Sequence, residues 1–438
     1  MNMLLNRSRR RPLIINAVLL LSLLVWPAFS GAASPVSLSE VTDQGTLNLV
    51  AGARASFLHD PDSRLQGRDI VLNPNLPGEF QALAPGQSNV GYRMGTTWGR
   101  FQLLNDTAVD QQVWLVLSSP RAQWIDVYYR SSDGRLISGQ SGSALPLSQR
   151  ALPVRENVFP VTVAAGDQTP VVFGVRTGTS LSLNAALWAP SDYLIKSAGD
   201  GRVRNLINGI NLALLVFGLL LLAITRDRLF LLFSAYVLFF SIYVMAINGQ
   251  ARILLWPEAG EWGSRAIVFF ACLSLVFLIE LLRVFLESRR PLPWPIGGFF
   301  RIEQLACAVI ALAVFFLPYR YGGIGSTWVW LAFSAVVPPL AAVRWFQGQR
   351  EARVVLLGWG VFFLFAVLFS LEIFGVTANL GAAVYLHFSM MGLALAMALA
   401  LGDRMAVLRR EKSNAQDRAL RAERDNREAL EDKVAERT

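Results

Sequence analysis

Between Leu206 and Leu401 the chain carries seven apolar segments, each long enough to cross about 30 Å of hydrocarbon as a helix. They are Leu206–Thr225, Leu229–Ile247, Ala266–Leu286, Phe299–Leu317, Ile324–Val343, Val354–Gly375 and Leu380–Leu401. The fourth is the weakest, because Arg301 and Glu303 sit inside it. Pro338-Pro339 should bend the fifth, since two backbone donors are missing there. Of the 438 residues, 53% are hydrophobic and 16% charged, against about 25% charged in a soluble chain. That excludes a disordered chain and an ordinary cytosolic enzyme. The rest is still too polar to lie wholly in lipid, so a membrane bundle joined to a water-soluble part is expected.

The first 33 residues read as a secretory signal peptide: Arg7, Arg9, Arg10 and Arg11, then an apolar Leu13–Val25, then small residues from Ser30 to Ala33. A retained N-terminal anchor is the plain alternative. From 36 to 190 the long apolar runs give way to short alternating segments: Thr97–Leu104, Val113–Leu117, Ile125–Tyr129, Val158–Val163, Val171–Arg176 and Leu181–Trp188. Turn signals at Asn105-Asp106, Asp133-Gly134, Gly166-Asp167 and Gly178 separate them. An all-β sandwich of jelly-roll type is expected, with Trp98, Trp114, Phe173 and Trp188 in its core.

An exported domain places the first span's start outside, and seven crossings, over 203–402, bring the C-terminus inside. Loop charge agrees. Nine arginines (226, 228, 283, 289, 290, 301, 344, 350 and 353) fall in the expected inner loops, against Arg252, Arg265 and Arg320 outside. The net charge of +9 is thus a mark of cytoplasmic loops, and no nucleic-acid partner is expected. Cys272 and Cys307 lie in apolar runs and read as packing residues. With no lysine in any span, a retinal Schiff base cannot form.

Ionisable groups within the spans are candidates for an intramembrane relay: Glu280 and Arg283, three apart on one helix face, with Glu372 and His387. Local pairing or snorkelling is the structural alternative. In the outer domain Asp60, Asp62 and Asp69 bring three carboxylates close in sequence, with Glu79 ten residues on. Such density could hold Ca²⁺; turn aspartates capping backbone donors are the alternative. Trp124, Tyr128 and Tyr129 could stack on sugar rings of a carbohydrate ligand, or simply pack. Residues 403–438 hold ten Lys/Arg and nine Asp/Glu with no Gly or Pro. Leu401, Met405, Leu408, Ala415, Ala419, Ala422 and Ala429 trace a thin heptad seam, so a coiled coil joining two copies of the chain is expected.

Asp60-Pro61-Asp62-Ser63-Arg64-Leu65, Asn89-Val90-Gly91-Tyr92, Trp98 through Asn105, Ile125 through Tyr129 and Gly174-Val175-Arg176 follow one another in the outer domain. Arg226-Asp227-Arg228, Leu255-Trp256-Pro257, Leu357-Gly358-Trp359 and Ala398 through Arg404 follow in the spans. In order and spacing the chain resembles the bacterial seven-transmembrane receptors with diverse intracellular signalling modules, fused to their type-2 extracellular domain. Arg100 and Asn105 fall at family-like positions. Leu430 to Thr438 resembles the linker helix before histidine kinase or GGDEF diguanylate cyclase domains. The resemblance implies a periplasmic jelly-roll sensor, a seven-helix transducer and a cytoplasmic output domain. Neither His59 nor His387 has a phosphoacceptor context, and no Walker A loop or GGDEF run occurs. The chain is therefore expected to be non-catalytic, the input half of a longer inner-membrane receptor. A transport or channel-like protein with a periplasmic binding domain is the rival expectation.

Overall fold

A computed structural model describes residues 34–73, 80–83, 89–178, 180–287, 291–349, 352–373 and 382–435. The expected signal peptide and Glu79 lie outside these residues. The N-terminal part runs β1 (Val36–Ser37), α1 (Leu38–Gln44), β2 (Thr46–Asn48), β3 (Ser56–Asp60), α2 (Gly67–Leu72), β4 (Gln81–Ala82), β5 (Asn89–Tyr92), β6 (Thr96–Leu104), β7 (Gln111–Leu117), β8 (Trp124–Arg130), β9 (Leu136–Ser141), β10 (Asn157–Val163), β11 (Gln168–Arg176), β12 (Ser180–Ser182) and β13 (Ala185–Trp188).

One sheet has the order β4-β3-β6-β11-β8-β9, with β1 lying parallel to the end of β6. A second has the order β10-β7-β13-β2, and β12 pairs with β5. Phe101, Val127 and Phe173 of the first sheet and Leu115, Phe159 and Leu187 of the second belong to one buried cluster. The two sheets therefore share a core. Asp133-Gly134 makes the expected hairpin between β8 and β9: Gly134 takes φ +83° and the Ser131 N–H donates to the Arg135 carbonyl at 2.9 Å.

Two expectations need correction. Leu181–Trp188 is two strands rather than one, because the chain changes sheets between Ser182, beside β5, and Ala185, beside β7. Trp98 lies outside the shared core, with Ile70 and Val71 of α2 on the other face of the first sheet, and Trp114 and Trp188 lie on the face of their own sheet away from that core. There they flank Tyr193, with ring centroids 5.4 and 6.3 Å from it.

The centre of the first sheet depends on two glycines. Phe173 stands opposite Gly99 and Trp98 opposite Gly174 in the β11–β6 register, so each ring covers the glycine directly across from it. A Cβ at Gly99 would lie 2.3 Å from the Phe173 ring, and one at Gly174 2.5 Å from the Trp98 ring. Both rings are buried and have nowhere to retreat. Gly174→Ala should therefore destabilise this sheet by about 1–3 kcal/mol, the usual range for overpacking. In amide exchange that predicts β6 and β11 opening about 5- to 150-fold more often; unchanged exchange would refute the packing argument.

The helical part holds α3 (Pro190–Thr225), α4 (Arg228–Ile247), a short α5 (Gln250–Leu254), α6 (Trp262–Leu286), α7 (Trp294–Ala313), α8 (Tyr319–Phe346), α9 (Ala352–Ile373) and α10 (Ala382–Ala435). Among the described residues six of these helices are long and apolar enough to cross a membrane: α3, α4, α6, α7, α8 and α9. The seventh expected span falls partly in α10, where the described apolar stretch is Met391–Asp403. α8 continues through Pro338 and Pro339.

Close approach organises the bundle. Gly218 of α3 admits Ser234 of α4 (a Cβ would lie 2.6 Å from Oγ), and Gly358 of α9 admits Ala396 of α10. Phe300, Phe333, Trp359 and Phe362 form a buried ladder with successive centroids 5.7, 5.3 and 5.4 Å apart, joining α7, α8 and α9. Arg226-Asp227-Arg228 is the α3–α4 turn: Arg226 closes α3 at φ +54°, and the Asp227 carboxylate accepts from the Leu229 N–H at 2.9 Å, capping α4.

Candidate functional site

The sheet domain and the bundle meet in three places, and the receptor function expected from the sequence would have to pass through them. The first connection is covalent. Pro190 starts α3 just after β13, with Ala189 as the cap between them, so the last strand runs straight into the first long helix. At 36 residues α3 is about 54 Å long, well beyond the membrane's hydrocarbon. Its first turns rest on the sheet domain. Tyr193 fills the space between Trp114 and Trp188, and Lys196 pairs with Glu156 at 3.2 Å and Asp200 at 3.1 Å.

The second connection is a clasp between the 142–156 segment and the loop joining α4 to α6. The Leu147 N–H donates to the Pro257 carbonyl at 2.8 Å. Ser148 Oγ donates to Glu258 Oε2 at 2.6 Å, and the Ser143 and Ser264 hydroxyls meet at 2.6 Å. Arg252 of α5 donates to the Pro120 carbonyl at 2.7 Å and Arg155 to the Asn248 carbonyl at 3.1 Å. Gly263 lets the chains approach: a Cβ there would lie 2.7 Å from the Ser143 carbonyl oxygen. Arg150 and Arg252 are both buried. Burial pulls both guanidiniums below the usual arginine range, and at Arg252 the nearby Arg150 and Arg155 add repulsion. Arg252, Arg265 and Arg320, the three arginines expected in outer loops, all lie at the end of the bundle that receives the sheet domain.

The third connection encloses space. A cleft of about 420 Å³ separates Trp124, Arg176 and Gly178 from Arg320, Tyr321 and Ile324 at the start of α8, with Arg93 and Met94 at its side. Behind Gly178 a smaller cavity of about 120 Å³ enters the bundle among Tyr243, Ser326, Trp330, Ser334 and Phe362. Ser334 is buried there, and its hydroxyl has no hydrogen-bond partner among the described residues. Gly178 touches both spaces. Its N–H donates to Gln123 Oε1 at 2.7 Å, and a Cβ added at Gly178 would lie in ordinary contact, 3.4 Å from the Cβ of Arg320.

The residues singled out in the sequence are dispersed. Asp60, Asp62 and Asp69 do not converge, and among the described residues no cluster of three metal-ligating side chains occurs. Asp60 Oδ2 accepts from the Leu65 N–H at 2.8 Å, Asp62 pairs with Arg64 at 3.0 Å, and Asp69 pairs with Arg68 at 3.4 Å. Each carboxylate thus has its own local partner, and the shared Ca²⁺ site has no geometric support in them. Arg100 lies over the Phe80 ring at 4.1 Å and donates to Ser56 Oγ at 3.3 Å, away from the junction. Tyr128 packs against Trp98 and across Gly67. Trp124 alone opens onto the cleft, with the Arg176 guanidinium 5.5 Å from its ring.

Of the intramembrane candidates, Arg283 holds Glu280 at 2.6 Å and Glu287 at 3.1 Å, and Gln304 of α7 donates to Glu280 at 3.2 Å. This group ties α6 to α7. The side chains of Glu372 and His387 lie outside those described.

Residues 203–404 match the family model described as 7TM diverse intracellular signalling, and residues 52–189 match 7TMR-DISM extracellular 2. No curated protein matches the chain.

Proposed function

Because the chain belongs to the family of seven-transmembrane receptors with diverse intracellular signalling modules, with that family's type-2 extracellular domain, we propose that it is the input part of a bacterial inner-membrane receptor. In this reading a jelly-roll domain senses a periplasmic ligand, seven helices change packing, and α10 passes the change to a cytoplasmic histidine kinase or diguanylate cyclase domain. α10 does so as a coiled coil in a dimer. The ligand biases the two packings only by its different affinity for each. The observation that carries the reading is mechanical continuity. α3 leaves the sheet domain as a membrane helix, the clasp holds the same domain to the α4–α6 loop, and α10 extends 54 residues from bundle to charged tail.

The topology this requires is testable. A reporter active only in the periplasm should work when fused after Gln250 or Gly322 and fail after Arg289 or Arg350. The opposite pattern at any two of these sites would overturn the seven-span arrangement and the direction of signalling with it.

A further inference from the structure

We propose that the cleft between the sheet domain and the first turn of α8 is an oxyanion site: it takes a phosphate or carboxylate carried on a molecule with an apolar or planar part. Three guanidiniums line it, Arg93, Arg176 and Arg320, and its described lining contains no carboxylate. None of the three makes an ion pair among the described residues. Arg93 donates to the Val90 carbonyl at 3.3 Å, and Arg176 lies over Trp124. Arg320 donates to the Met94 thioether at 3.0 Å and to the Tyr321 hydroxyl at 2.5 Å, while its Nε has no partner. A thioether is a weak acceptor, and a guanidinium fork matches the paired oxygens of a carboxylate or phosphate far better. Arg320 also stands in the first turn of a 28-residue helix, whose N-terminal N–H groups favour negative charge. Trp124, Tyr321, Met94 and Ile324 supply the faces for the apolar part. About 420 Å³ is within the range of small-molecule sites.

Two sources could present this chemistry: the headgroup of an anionic lipid, since Arg320 and Tyr321 begin a membrane helix, or a small soluble phosphate. Either would neutralise charge at the seam that also closes the bundle cavity behind Gly178. As the sensed ligand the oxyanion rests on the receptor reading; as a bound ligand it does not, because binding is measured without any signalling output.

The full chain in neutral detergent is titrated with glycerol 1-phosphate and, as the uncharged control, glycerol. In parallel it is placed in nanodiscs of phosphatidylcholine with or without phosphatidylglycerol, and lipid retention is read by native mass spectrometry. Binding of glycerol 1-phosphate but not glycerol identifies a soluble source. Selective retention of phosphatidylglycerol without binding of glycerol 1-phosphate identifies the headgroup. In either case Arg93→Gln/Arg176→Gln/Arg320→Gln should weaken binding at least tenfold. Arg320→Lys, which keeps the charge but not the fork, should weaken it by less and reports on a chain that retains its packing. Binding should also fall as salt rises. Absence of any preference for the anion in both arms, or undiminished binding by the triple variant, would overturn the site.

Discussion

Deleting one residue near Ala419, in a receptor whose α10 runs into its output domain, is expected to lock or abolish regulation, whereas deleting seven should largely preserve it. α10 is one helix from Ala382 to Ala435, with no Gly or Pro after Gly402. Residues 413–424 are exposed throughout in the single chain, including the seam positions Ala415, Ala419 and Ala422. An apolar seam left open on a solvated helix is what a second copy of the helix would cover. A stiff helix carries rotation only while that seam stays in register. Removing one residue turns everything downstream by about 100°; removing seven restores the facing surface to within about 20°. Output in the one-residue deletion should stay at one level under every stimulus, and the seven-residue deletion should respond with a shifted set point. If both behave alike, the segment is a tether and the coupled-helix account of α10 fails.

The sequence made the elements legible where one residue type does one job. Alternating apolar positions marked most of the strands, Asp133-Gly134 marked a hairpin, and Arg226-Asp227-Arg228 proved to be a cap followed by a cap. The start of α3 was hidden because its first turns carry Lys196, Asp200, Arg202 and Arg204. Those residues face the sheet domain and water, so hydropathy alone begins the helix at Leu206. The clasp was hidden for a different reason. Most of its bonds end on the backbone carbonyls of Pro120, Asn248 and Pro257, which have no side-chain signature. Leu255-Trp256-Pro257 was recognisable as a motif, but its contribution is one carbonyl oxygen and an aromatic stack of Trp256 on Phe270.

The cleft was illegible because its cations come from positions 93, 176 and 320, which only the docked arrangement brings together. The acidic residues from Asp60 to Asp69 left two readings open, a shared ion or turn aspartates. Nearness in sequence brings them close along the chain, but each carboxylate meets its own partner: the Leu65 N–H at Asp60, Arg64 at Asp62 and, within α2, Arg68 at Asp69.

The central claim is that docking of the extracellular domain on the bundle sets the output, and it is tested by locking and opening the clasp. Ser143 and Ser264 are buried with their hydroxyls 2.6 Å apart, close enough for Ser143→Cys/Ser264→Cys to form a disulfide. The native cysteines, Cys272 and Cys307, are buried away in the bundle. Gly263→Leu does the reverse, driving a side chain into the Ser143 carbonyl. Output is measured in membranes from the oxidised double-cysteine receptor and from the Gly263→Leu receptor, with insertion and cross-linking verified on gels. The two should sit at opposite ends of the response, about tenfold apart or more, the range of ordinary allosteric coupling. Reduction should return the double-cysteine receptor to the wild-type level. Equal output from the locked and opened receptors would show that the junction does not carry the signal.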